Sequence, residues 1–153
     1  DITGYRLNVV DAACGSRFYN FEKTKDGGTT WTEVNGDPFD QNMGVAEGLL
    51  FFTNDFGFAG LTYASEDFSM LYVTKDGGET FERLELPLDT VTELPSEAAE
   101  LGFTIEDYGY HTMPQIVDGK MEIYLQTDAM EQQGIIFQSE DNGVTWEYAG
   151  CKE

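Results

Sequence analysis

Apolar residues in this chain come in short runs, and each run ends at a cluster of Gly, Asp, Asn or Pro. Short runs bounded by turn residues read as strands, because a strand needs few residues and a defined break at each end. Strands are predicted at 6–11, 17–23 and 30–34, then at 49–53, 58–64, 70–75 and 80–86, and finally at 113–117, 120–127, 134–139 and 145–149. They fall into three units, at about 4–38, 44–88 and 110–150. Asp118-Gly119 sits between two apolar runs, the strongest short signal for a two-residue hairpin. The stretch 89–109 breaks the rhythm. Inside it, residues 95–101 read as one helical turn with Ser96 placed to cap it. Such an insertion either lines a site or is a solvated excursion of the surface. The expected fold is all-β, with antiparallel sheets in a single domain over residues 1–153.

A repeat lies within these units. Thr24-Lys25-Asp26-Gly27-Gly28-Thr29-Thr30-Trp31 is followed by Thr74-Lys75-Asp76-Gly77-Gly78-Glu79-Thr80-Phe81 and by Ser139-Glu140-Asp141-Asn142-Gly143-Val144-Thr145-Trp146. The shared pattern is [ST]-x-D-x-G-x-T-[WF], and each copy follows an apolar run. Its chemistry is that of a turn. The carboxylates of Asp26, Asp76 and Asp141 can accept hydrogen bonds from their own loops. Gly28, Gly78 and Gly143 can adopt the positive φ of a tight hairpin. Trp31, Phe81 and Trp146 supply large apolar anchors.

This pattern resembles the Asp-box of the BNR repeat families, which include sialidases, sortilin-type receptors and photosystem II assembly-factor-like propellers. The resemblance implies a β-propeller-like fold of three four-stranded blade units, with each box a hairpin between the third and fourth strands. It also implies that the boxes are structural and lie away from a ligand pocket. Closed propellers need about four to eight blades. Three units therefore imply a fragment of a longer propeller, a compact domain, or a homodimer that completes a ring.

Charge narrows the partners. The chain carries 29 acidic residues against 8 basic ones, a net charge of −21. A phosphate backbone and an anionic membrane surface both need a basic partner, so neither is expected, and membrane insertion is not expected because no stretch approaches the roughly 18–20 apolar residues of a membrane span. Glycans and proteins remain. The two cysteines, Cys14 and Cys151, form no metal-binding spacing, and no cofactor motif occurs. The expectation is therefore no metal and no cofactor. The cysteines could join the chain ends as one disulfide. The chain opens at Asp1 without Met, as expected where a signal peptide or a neighbouring domain has been removed, and the first gives the expectation of a secreted or cell-surface protein.

No catalytic residues are assigned. A sialidase site needs an arginine cluster, whereas this chain has only Arg6, Arg17 and Arg83. The lone His111 has no nucleophile motif beside it and reads as a polar loop residue. Asp55, Glu66, Asp67, Glu106 and Asp107 lie on predicted loops, but 29 acids make any pairing arbitrary. Phe39, Phe56, Phe58, Tyr108 and Tyr110 could stack on sugars or seat a partner's side chains, or else fill the core between units. The expected function is a non-catalytic extracellular module that binds a glycan or protein. The alternatives are part of a sialidase-like or other glycoside hydrolase propeller, and an assembly or scaffold protein.

Overall fold

The structure, a computed structural model, describes residues 2–63 and 66–153. Among the described residues the fold is all-β, with three antiparallel sheets, one four-residue α-helix and two 3-10 turns. The described residues form two compact units, one of residues 2–63 and 70–84 and the other of residues 66–69 and 85–153. Among the described residues no helix is long and apolar enough to cross a membrane.

The first unit holds two sheets. Strands β1 (Gly4–Ala13), β2 (Ser16–Thr24) and β3 (Thr32–Asn35) form one, in that order. Strands β4 (Val45–Phe51), β5 (Gly57–Thr62), β6 (Ser69–Thr74) and β7 (Glu82–Arg83) form the other. Aromatic rings fill the space between them. Tyr5 stacks on Phe51 with ring centroids 3.9 Å apart, and Phe21 stacks on Phe51 at 5.6 Å. Phe81 meets Phe21 edge-on at 5.3 Å. Phe39 is wedged edge-on against Tyr19 at 6.0 Å and Tyr72 at 5.2 Å. Each such ring pair adds about 0.5–1.5 kcal/mol to the burial of its rings.

The second unit holds the third sheet. Strands β8 (Tyr110–His111) and β9 (Gln115–Val117) both pair with β10 (Lys120–Gln126), followed in the sheet by β11 (Gly134–Ser139) and β12 (Glu147–Lys152). The gap between β8 and β9 contains Pro114. Proline has no N–H to give the ladder, so one edge strand becomes two short ones. The β9–β10 turn is Asp118-Gly119, with φ of 49° and 81°, and Val117 pairs with Lys120 across it. Met121, Ile123, Leu125, Ile135 and Phe137 form the core here.

Two sequence expectations need correction. The sheets have three, four and five strands, so the even count of four is met only once. The strand predicted at 80–86 shrinks to Glu82–Arg83, because Thr80 is consumed by the preceding turn and Pro87 follows closely.

Candidate functional site

The three repeats fold into nearly identical loops, each joining the last two strands of its sheet: β2–β3, β6–β7 and β11–β12. The Ser or Thr hydroxyl that opens the motif donates to the aspartate Oδ1, at 2.7 Å (Thr24–Asp26), 2.9 Å (Thr74–Asp76) and 2.7 Å (Ser139–Asp141). The same hydroxyl accepts the N–H of the motif glycine, at 2.9 Å for Gly28, 2.8 Å for Gly78 and 2.7 Å for Gly143. The Thr four residues after each aspartate donates its N–H to Oδ1 and its hydroxyl to Oδ2. The glycines hold φ of 90°, 93° and 88°. Sequence reasoning assigned no role to the opening hydroxyl, although its invariance across the three copies was the available signal.

These bonds favour the ionised carboxylate. The Thr30 hydroxyl and N–H hold Asp26 down to about 2, and Thr145 does the same for Asp141, also to about 2. At Asp76 desolvation opposes the shift, but the Thr80 bonds outweigh it and the pKa is still lowered. All three carboxylates are thus committed to their turns. The anchors differ. Phe81 packs on Phe21, Trp146 is buried, and Trp31 lies half-exposed under the Arg6 guanidinium, 4.2 Å from the ring centroid.

The aromatics selected from the sequence as ligand contacts are mostly core. Phe39 is 1% exposed, Tyr108 2% and Tyr110 8%. Phe56 is half-buried and packs edge-on against the buried Phe58 at 5.3 Å. Cys14 and Cys151 are free, so the expected disulfide is not formed. Cys14 sits at an exposed hairpin tip with φ of 51°, and the Cys151 thiol instead donates to the Glu93 carbonyl at 3.4 Å. Burial pushes the Cys151 pKa up, which keeps it a thiol rather than a nucleophilic thiolate. His111 is on strand β8 rather than a loop, and its Nδ1 faces the carbonyls of Ser69 at 3.1 Å and Gly109 at 3.2 Å. Asp107 is spent on a local cap, accepting the Thr104 N–H at 2.7 Å. Among the described residues no group of three or more His, Cys, Asp or Glu could hold a metal ion.

The insertion forms an apolar concavity. A 3-10 turn at Leu88–Thr90 leads to Pro95, then to α1 (Ala98–Leu101), and a second 3-10 turn follows at Ile105–Asp107. Ser96 does not cap the helix, because its N–H and hydroxyl both go to the Glu153 carboxylate. Gly102, at φ 74°, ends α1 and lets Phe103 N–H reach back to Ala98 O at 2.9 Å. Phe103 is thereby turned toward Leu88, Val91, Leu94 and Ile105, and together they line a cleft of about 370 Å³. Behind it, Tyr108 meets Phe103 edge-on at 6.4 Å. The Glu93 carbonyl on the wall is fixed by the Tyr148 hydroxyl at 3.2 Å as well as by Cys151.

Desolvation raises Glu97, assisted by the nearby Glu131 and Glu153. Burial pushes Tyr108 up to about 12, with Glu97 adding to it. Both groups lie where burial disfavours their charged form and carboxylates stand nearby. Chemically the cleft offers apolar contact and acidic surroundings. No family model matches the chain, and no curated protein and no solved structure matches it either.

Proposed function

We propose that the chain is a non-catalytic binding module of the Asp-box type, with propeller-like blades, whose insertion cleft seats an apolar side chain of a protein partner. The observation that carries this reading is the division of labour between repeat and insertion. The repeat carboxylates are used up by their own turns, while the segment that departs from the repeat builds an apolar cleft. A volume near 370 Å³ matches the lower range of ligand pockets and suits one or two side chains. The position of each repeat between the last two strands of its sheet supports the Asp-box reading. A protein is favoured over a glycan because Phe39, Tyr108 and Tyr110 offer no open stacking face.

The test is a selection from a random peptide library alongside a glycan array, on the chain and on Leu88→Ser. Leu88 is 42% exposed, so its replacement leaves the core intact. Enrichment of apolar-anchored peptides by the chain, lost on Leu88→Ser, is expected. Glycan binding without peptide enrichment would overturn the reading.

A further inference from the structure

We infer that the cleft takes a cationic amphipathic segment, one apolar anchor flanked by Lys or Arg, and this rests on the protein-binding reading above. Between Leu84 and Lys120 the chain contains no Lys or Arg. The same stretch carries exposed acids that alternate with the cleft wall. Asp89 follows Leu88, Glu93 lies on the wall itself beside Leu94, and Glu106 follows Ile105. Glu85 and Glu100 are exposed as well. Apolar side chains line the cleft with Glu93 among them, and the exposed Asp89 and Glu106 adjoin lining residues in the chain, the complement of a basic segment with an apolar residue at its centre.

Other occupants meet this charge badly. A second copy would bring another chain of net charge −21 against an acidic rim. An acidic peptide or an anionic lipid headgroup is repelled for the same reason. For a cationic segment the rim acts twice. It raises the encounter rate by a factor of about 10 to 1,000 at low ionic strength, and it fixes orientation once the anchor is seated.

The test uses three fluorescent ten-residue synthetic peptides and the whole chain, read by anisotropy. The first carries Lys around a central Leu-Phe pair, the second has Glu in place of every Lys, and the third keeps the Lys with Gly-Ser at the centre. The first is expected to bind. Its affinity should fall on the order of tenfold with Leu88→Ser, the loss of one seated anchor contact. Raising salt from 50 to 500 mM, or the triple change Asp89→Asn, Glu93→Gln and Glu106→Gln, should weaken it by a similar factor through screening and lost rim charge. Equal binding of the acidic peptide would overturn the inference and leave the protein-binding reading standing. Equal binding of the Gly-Ser peptide, or indifference to Leu88→Ser, would show bulk charge attraction and overturn the cleft as the seat. Failure of all three peptides would count against the protein-binding reading itself.

Discussion

Replacing the same repeat position in two copies should cost very different amounts. Gly28 and Gly78 hold almost the same φ, 90° and 93°. Either one changed to Ala forces an L-residue into the left-handed region, at about 1–2 kcal/mol. Their surroundings diverge. A β-carbon at Gly28 would sit 3.6 Å from the Trp31 ring, an ordinary contact. At Gly78 it would overlap the ring of Phe21, which is fully buried and stacked in the aromatic column with Tyr5 and Phe51. Displacing that ring is overpacking, worth about 1–3 kcal/mol more. Gly28→Ala should therefore cost roughly 1–2 kcal/mol and Gly78→Ala roughly 2–5 kcal/mol. Against a typical total of about 5–15 kcal/mol, the second is a large share. Urea unfolding followed by far-ultraviolet circular dichroism measures both. If Gly78→Ala costs no more than Gly28→Ala, the aromatic column is not packed as described.

Three further outcomes follow from the same geometry. Ser139→Ala should destabilise by about 1–3 kcal/mol, because the buried Gly143 N–H loses its acceptor, while Ser139→Thr should be tolerated, as Thr24 and Thr74 fill the same role; urea midpoints decide. The lowered pKa values of Asp26 and Asp141, both about 2 against an ordinary 3.8, make their contribution to stability complete above pH 4 and lost as pH falls from 4 toward 2. An acid titration of the urea midpoint should show that limb, and combined Asp→Asn changes at both sites should flatten it. A thiol reagent at neutral pH should label exposed Cys14 quickly and Cys151 slowly, since burial raises the latter's pKa. Equal rates would contradict the environment assigned to Cys151.

The repeat loops and the Asp118-Gly119 turn were legible because turn chemistry is local. Positive φ, a carboxylate acceptor and an anchoring ring all sit within eight residues of sequence. What needed the third dimension was pairing. Nothing local shows that β1 stands at the edge of its sheet, paired with β2 among the described strands, or that the gap holding Pro114 divides a strand whose halves both pair with β10. The aromatics misled for a related reason. Phe39 and Tyr108 lie outside the strands, yet long-range packing buries them. The cleft was hidden because Leu88, Val91, Leu94, Phe103 and Ile105 follow neither a period of two nor one of 3.6, and only the turn at Gly102 brings Phe103 round. The absence of basic residues between Leu84 and Lys120 was readable throughout, but only the cleft makes it informative.

The central claim is that binding belongs to the insertion and not to the repeats. Amide hydrogen exchange, with and without the Lys-flanked Leu-Phe peptide, tests it most directly. Protection gained over residues 86–107, with the loops at 24–31, 74–81 and 139–146 unchanged, is the predicted footprint. Protection centred on those loops instead would contradict the account.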